Sequence, residues 1–192
     1  MSSPESTLLV LSLVSEHITA SFVAELRKQD AAPLSNEPSH VWRLKNRYYE
    51  AKVSIATAYD LSTALGQLQG VPALIVLSDY DAKPLIISRL LSSIAAYQMP
   101  DIAILALVKG HTNRDGDAVE AEWLDVAVEQ GFELVDLEHA PETGDDGRDM
   151  TSYAYLASTL QTHLWPRVGA TAPTGFDDDF SDFTEKAKKK GI

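Results

Sequence analysis

The sequence predicts an α/β protein with a mostly parallel sheet, because it contains three apolar runs separated by helical patterns. The runs are continuous rather than alternating, which is typical of strands buried on both faces of a sheet. They span Thr7 to Leu13, Val71 to Leu77 and Ile102 to Val108. Between them, apolar residues recur at helical spacing. Alternating strands and helices favour a parallel sheet that is covered by helices on both faces.

One pair of strands departs from this alternation. Val41 to Lys45 and Tyr48 to Thr57 flank Asn46-Arg47, and this connection is too short for parallel strands, so the two segments predict an antiparallel hairpin. Asn46 also tolerates the left-handed conformation of a tight turn. With Phe132 to Leu137 as an edge strand, the sheet has six strands. The expected layout is three-layered and similar to that of small GTPases and other P-loop NTPases, with strand order 2-3-1-4-5-6 and strand 2 antiparallel.

Five helices are expected between and after the strands. Ser15 is expected to cap the first helix and Asp81 the third, while Gly70 and Gly131 should end the second and the fourth. The apolar stripes that would face the core are Ile18, Phe22 and Leu26; Leu61, Leu65 and Leu68; Ile86, Ile87, Leu90, Leu91 and Ile94; Val119, Trp123, Val126 and Ala127; and Met150, Tyr153, Ala157, Leu160 and Leu164.

The residue composition changes after Trp165, which predicts a domain boundary there. Residues 1–165 hold all the predicted core segments and are expected to form one pseudo-GTPase α/β domain. Residues 166–192 begin with Pro, Gly, Ala and Thr, and are expected to be a flexible tail with acidic and aromatic side chains. The apolar run from Leu8 to Val14 is too short to cross a bilayer, and it lacks the flanks of a signal peptide. We therefore expect a cytoplasmic protein without membrane insertion.

Charge and cysteine content narrow the range of functions. The formal net charge is -12, which repels phosphate backbones and argues against nucleic-acid binding. The chain has no cysteine, which excludes disulfides, thiolate catalysis and cysteine-based zinc sites. Its five histidines include no pair at i,i+4 spacing and predict no metal site.

The nucleotide motifs of a GTPase are absent from the sequence. The turn after the first strand, Val14 to Thr19, contains no glycine, although phosphate loops depend on closely approaching glycine backbone. Asp60 is followed by Thr63 where a glycine would be required, and Lys109-Gly110-His111-Thr112 replaces a guanine-reading motif. We therefore expect no cofactor and no enzymatic activity. A divergent nucleotide-binding small GTPase is the alternative, and a nucleotide titration would separate the two.

The segment Phe176 to Phe183 places three phenylalanines among four aspartates. Aromatic residues are uncommon in tails that have no core in which to bury them. They predict a linear motif whose rings enter pockets of a partner while its carboxylates meet basic residues. The alternative is that one or two of the rings dock on the domain of the same chain.

The hairpin region carries a resemblance to a known family. His40 to Ala51, with the pattern Trp-Arg-x-x-Asn-x-Tyr-Tyr, resembles the alpha- and gamma-adaptin-binding protein family, which includes the yeast increased-recombination-centers protein. The resemblance implies a GTPase-like domain without nucleotide motifs. It also implies an assembly chaperone or regulator of clathrin adaptor complexes in vesicle-mediated protein transport. Longer members carry a further C-terminal helical region, so large-subunit binding by this chain is left open.

The resemblance also implies partners and binding residues. The expected partners are clathrin adaptor subunits, namely alpha- or gamma-adaptin and the small sigma subunits. Phe176 to Phe180 is similar to the Phe-x-Asp-x-Phe pattern bound by alpha-adaptin appendages, and Asp179 to Phe183 is similar to acidic-phenylalanine peptides that bind gamma-type ears. The expected partner-binding residues are Phe176, Asp178, Phe180, Asp182, Phe183, Trp42, Tyr48 and Tyr49. Two alternatives stay open: the hairpin aromatics could simply cover a sheet face, and the domain could be a generic interaction scaffold.

Overall fold

The structure is a computed structural model that describes residues 6–29, 38, 40–45, 50–108, 116–138 and 151–166. Strands and helices alternate along the chain, apart from one pair of successive strands. The elements are β1 (Thr7–Ser12), α1 (Glu16–Lys28), β2 (Val41–Lys45), β3 (Glu50–Ala58), α2 (Leu61–Gln67), β4 (Ala73–Asp79), α3 (Pro84–Tyr97), β5 (Ile102–Val108), α4 (Gly116–Glu129), β6 (Glu133–Asp136) and α5 (Ser152–Leu160).

The six strands form one sheet in the order β2-β3-β1-β4-β5-β6. The β2–β3 pairing is antiparallel, with Val41 opposite Ser54 and Lys45 opposite Glu50. The pairings of β1 with β3 and β4, of β4 with β5 and of β5 with β6 are parallel. The predicted strand order and the antiparallel second strand are therefore confirmed. β4 begins at Ala73, later than the predicted Val71, because Pro72 has no N–H to give to a ladder.

Helices cover the sheet on both faces because successive strand residues point in opposite directions. In β1, Leu8 and Val10 belong to a buried cluster that includes residues of α1 and α5. Leu9 and Leu11 belong to a second cluster that includes residues of α2, α3 and α4. Among the helices of the described residues, none is long and apolar enough to cross a membrane.

Three predicted helix boundaries lie at or near the expected residues. Ser15 is the N-cap of α1 in an extended conformation, although its side chain makes no capping hydrogen bond. Gly70 follows α2 with φ 74° and Gly131 follows α4 with φ 76°, the left-handed region that favours glycine. At Gly131 the space is also small, since a Cβ there would lie 3.3 Å from Cε of Met99.

The prediction that Asp81 caps α3 is wrong. Lys83 is the N-cap and Pro84 is the first helical residue, a position that suits proline because its missing N–H would have had no helical partner. The carboxylate of Asp79 instead accepts the Ala82 N–H at 2.8 Å, so Asp79 stabilises the turn before the helix.

Two apolar residues that were predicted to face the core are exposed. Ile86 is 57% exposed, because the buried stripe of α3 runs through Ile87, Leu91 and Ile94. Leu164 is 82% exposed, since α5 ends at Leu160 and the stripe does not continue. Trp165 lies in the core in its place, and its indole N–H donates to the Leu160 carbonyl at 2.7 Å. Outside the described residues lie the Asn46-Arg47 turn, Met150 and the tail.

Candidate functional site

The carboxyl ends of the parallel strands meet at one edge of the sheet, where open α/β proteins bind ligands. At the centre of that edge β1 passes into α1 through Leu13, Val14 and Ser15, three residues without a glycine. Leu13 and Val14 are half-buried. The Leu13 N–H donates to the Leu77 carbonyl at 2.9 Å, which prolongs the contact between β1 and β4. This short, closely packed connection differs from the glycine-rich loops that wrap around phosphates.

Polar groups beneath this connection are bonded to one another. The hydroxyl oxygens of Ser12 and Thr19 lie 2.6 Å apart, and both residues are buried. The Thr19 hydroxyl is also within donating distance of the Ser15 carbonyl, at 3.0 Å. Each hydroxyl also has a carbonyl acceptor within reach, Ser15 for Thr19 and Val14 for Ser12 at 3.4 Å, so either hydroxyl can donate to the other. The β1–α1 junction is therefore held by its own hydrogen bonds.

Carboxylates follow most of the strands at the same edge. They are Glu16 after β1, Asp60 after β3, Asp79 and Asp81 at the end of β4, and Asp136 and Glu138 at the end of β6. Negative charge gathered there disfavours phosphate ligands. Within the described part of the chain, no three acidic or histidine side chains are arranged to hold a metal ion.

Several of these carboxylates stabilise local structure. The Thr63 hydroxyl donates to Asp60 at 2.6 Å and the Thr63 N–H does so at 2.8 Å, which together hold the pKa of that carboxyl below its usual range. Asp136 accepts the Tyr80 hydroxyl at 2.6 Å, a bond that joins the ends of β4 and β6. These acids therefore cap helices and turns, which is an ordinary structural use of carboxylates.

The aromatic residues predicted on the hairpin fall on both sides of the described boundary. Trp42 is 1% exposed and belongs to the same buried cluster as Phe22 and Leu26 of α1. Its indole N–H has no hydrogen-bond partner among the described residues. Trp42 is thus part of the core, and its burial favours the alternative in which it covers a sheet face. Tyr48 and Tyr49 lie outside the described residues, and their binding role stays a prediction.

The tail residues that were predicted to bind partners also lie outside the described residues. They are Phe176, Asp178, Phe180, Asp182 and Phe183. Their binding role therefore stays a prediction from the sequence.

A pocket of about 390 Å³ lies at the opposite, amino-terminal end of β4 and β5. It is bounded by Pro72, by Met99 and by the chain that follows α5. His163 and Asp101 face each other there with Nδ1 and Oδ2 3.5 Å apart. The rings of His163 and Trp165 meet edge to face at 5.0 Å between centroids. Sequence reasoning missed this pocket, because residues from three distant segments form it.

A second concavity, of about 260 Å³, lies between α1 and β3. Among the described residues, β2 begins at Val41, opposite Ser54, and the Ile55 N–H donates to the His40 carbonyl at 2.7 Å, whereas β3 continues to Ala58. Its lining residues are Thr19, Ala20, Val23, Ala24 and Arg27 of α1, Ile55 and Thr57 of β3, and His40 and Tyr59. We call this feature the α1–β3 groove. It was also missed from sequence, since its existence depends on the unequal lengths of two paired strands.

Arg27 lies at one end of the α1–β3 groove. Its Nε donates to the Val41 carbonyl at 2.8 Å, and the Val41 N–H donates to the Pro38 carbonyl at 3.0 Å. Since Val41 belongs to the outermost strand β2, these two bonds occupy backbone groups at the sheet edge. Such coverage restricts pairing with another strand at this position.

Comparisons with known proteins do not assign a family. No protein-family model and no curated protein matches the chain. The adaptin-binding resemblance of His40 to Ala51 therefore rests on those residues alone.

Proposed function

We propose that this chain is a non-enzymatic, small-GTPase-like domain that binds partner proteins rather than nucleotides. The observation that carries the proposal is the β1–α1 junction. Three residues without a glycine join the two elements, and the hydroxyls of Ser12 and Thr19 bond to each other beneath them. A phosphate loop needs several backbone N–H groups directed at the ligand, and a junction of this length offers little room for them.

The electrostatics of the same edge support the proposal. Glu16 places a carboxylate in the first turn of α1, where it interacts favourably with the helix dipole in the place of a phosphate. Asp79 and Asp136 add negative charge at the ends of β4 and β6. A nucleotide carries several negative charges and would meet repulsion there.

We further propose that the partners are clathrin adaptor subunits and that the protein acts in the cytoplasm as an assembly chaperone or regulator of adaptor complexes. The sequence supports this in two places, the hairpin pattern within His40 to Ala51 and the overlapping phenylalanine patterns of Phe176 to Phe183. The tail would bind alpha- or gamma-adaptin appendages. The domain would offer the surface for a small sigma subunit or the large subunit.

Calorimetry with the full chain tests the two halves of the proposal separately. Titration with GTP, GDP and ATP should show no binding tighter than about 1 mM, or about -4 kcal/mol. Titration with alpha and gamma appendages should show binding near 1 μM, or about -8 kcal/mol, because ordering the tail offsets part of the contact energy.

Phe180→Ala should weaken appendage binding by about 2 kcal/mol, or roughly thirtyfold, since Phe180 belongs to both overlapping patterns. Asp178→Asn and Asp182→Asn should cost less and act mainly on the association rate. Thr184→Ala, just beyond the pattern, is the control and should bind as wild type does. Tight nucleotide binding would contradict the first half of the proposal, and an unchanged Phe180→Ala variant would contradict the tail's role.

A further inference from the structure

The α1–β3 groove combines an apolar floor with hydrogen-bonding groups. Val23 and Ile55 lie at its floor, while Ala20 and Ala24 are exposed on the helix side. Thr57 lies on the same face of β3 as Ile55, and it lines the other side together with Tyr59, the residue that follows the strand. The volume of about 260 Å³ is below the range of about 300 to 1,000 Å³ that is usual for small-molecule sites. The groove is suited to a few side chains of a peptide.

The charge of the groove differs from that of the protein as a whole. The chain has 28 acidic and 16 basic residues, yet the described residues that line the groove include no carboxylate. Arg27 and His40 stand at the end nearest β2. The bond from Arg27 Nε to the Val41 carbonyl fixes the guanidinium in place, and within the described residues its terminal nitrogens have no partner. This guanidinium is therefore positioned to receive a carboxylate.

The C-terminal tail has the complementary chemistry and can reach the groove. Phe176 to Phe183 contains three phenylalanines and four aspartates, with no basic residue among them. Pro166 lies by the amino ends of β4 and β5, and β3 is two strands from β4, or about 10 Å. From Pro166 to Phe176 the chain advances ten residues, which span up to about 33 Å when extended. That length covers both the crossing to β3 and the rise along it.

We propose that Phe176–Phe183 docks in the α1–β3 groove of its own chain, with phenylalanine rings against Val23 and Ile55 and an aspartate at Arg27. Docking in this way holds the tail on the domain until a competing partner takes it, so it regulates access to the tail. The docking needs no adaptor protein and therefore does not depend on the proposed function. The charge, the size and the reach together favour the tail over a nucleotide or a metal ion as the occupant.

Paramagnetic relaxation in the full chain tests the docking directly. The natural sequence has no cysteine, so Ser181→Cys allows a nitroxide to be attached at one position in the tail. We expect broadening of the backbone amide signals of Thr19–Arg27 and Ile55–Tyr59 in the isotope-labelled, tagged chain. A mixture of tagged unlabelled chain and untagged labelled chain should show none. Broadening in that mixture, around the pocket at Met99, or nowhere would overturn the proposal.

A pair of exposed alanines supplies matched variants. Ala24→Glu places a carboxylate in the groove, and like-charge contact with the tail should lower the docked fraction about tenfold. Ala96→Glu makes the same change on the outer face of α3 and should leave the broadening unaltered. Both sites are exposed helix positions where glutamate is well tolerated. If both variants behave as wild type does, the tail does not occupy this groove.

Discussion

Helix α1 presents two different surfaces: its N-terminus is closed by local bonding, while the described residues of its flank line the α1–β3 groove. At the N-terminus, Leu13 to Ser15 lead directly into the helix, and Ser12 and Thr19 are buried beneath them. On the flank, β2 contributes five residues against the nine of β3 and leaves Ile55 to Ala58 beyond the pair Val41–Ser54. The short β1–α1 connection and the unequal lengths of β2 and β3 therefore give the N-terminus and the flank of α1 different surroundings.

The largest expected effect concerns the packing that holds the hairpin against α1. Trp42→Ala should lower the free energy of unfolding by about 3 to 5 kcal/mol, because it removes a 1% exposed indole from the cluster shared with Phe22 and Leu26. Urea unfolding followed by circular dichroism measures the change. If the loss is below about 1 kcal/mol, the hairpin is not held against α1 by this contact.

Leu164→Ala is the control for that measurement. Leu164 was expected in the core from its spacing, but it is 82% exposed. Truncating it should therefore change the free energy of unfolding by less than about 0.5 kcal/mol. Both side chains are apolar but only Trp42 is buried, so comparing the two variants shows whether burial determines the loss of stability.

The second effect tests the closed N-terminus. Thr19→Val keeps the shape of the side chain but removes the hydroxyl that lies 2.6 Å from the buried Ser12 hydroxyl, so we expect the free energy of unfolding to fall by about 1 to 3 kcal/mol. Ser12→Ala with Thr19→Val removes both hydroxyls, and should cost less than the sum of the single changes. A double-mutant cycle in urea measures this. Strict additivity would mean that the two hydroxyls do not stabilise the junction together.

Much of the fold could be predicted because local patterns and turn lengths decide it. The apolar run Ile102–Val108 has the predicted bounds, and the short connection after Lys45 gave the antiparallel pairing of β2 and β3 correctly. Gly131 closely follows the end of α4 as expected, and Gly70 lies three residues beyond the end of α2 at Gln67. In each of these cases the residues that determine the structure are neighbours in sequence.

The predictions failed where packing against a neighbouring helix or strand determines which side chain is buried. Ile86 and Ile87 are equally apolar, and the sequence offers no means of choosing which of them faces the sheet. Leu164 continues the spacing of α5, but the helix stops at Leu160 and Trp165 fills the space. The α1–β3 groove depends on residues from His40 to Tyr59 and on α1, so no single motif could indicate it. The sequence pattern singled out Trp42, but it left open whether the side chain binds a partner or covers a sheet face.

The smallest expected effect concerns the hydrogen bond between Tyr155 of α5 and Glu133 of β6, on the face of the sheet that α1 covers. The Tyr155 hydroxyl donates to the Glu133 carboxylate and joins α5 to β6. That bond, with partial burial, raises the pKa of Tyr155 above its usual 10.0. Because the bond is partly exposed, Tyr155→Phe should lower the free energy of unfolding by only about 0.5 to 1 kcal/mol near neutral pH.

The pH dependence of this difference follows from the direction of the shift. A pKa that is raised in the folded state gives stability that is fully present below the unfolded pKa of about 10, and that is lost as the pH rises through the folded pKa. The free energies of unfolding of wild type and Tyr155→Phe should therefore differ by a constant amount up to about pH 9 and converge above pH 10.

Burial also raises the pKa of Tyr153, so both proteins should lose stability in alkali, and only their difference reports on Tyr155. Urea unfolding at a series of pH values checks this. A difference that grows with pH would show that the hydroxyl of Tyr155 is not stabilised as the donor to Glu133. If Tyr155→Phe also changed the coupling energy between Ser12 and Thr19, the stability of the β1–α1 junction would depend on α5 as well as on its own hydrogen bonds.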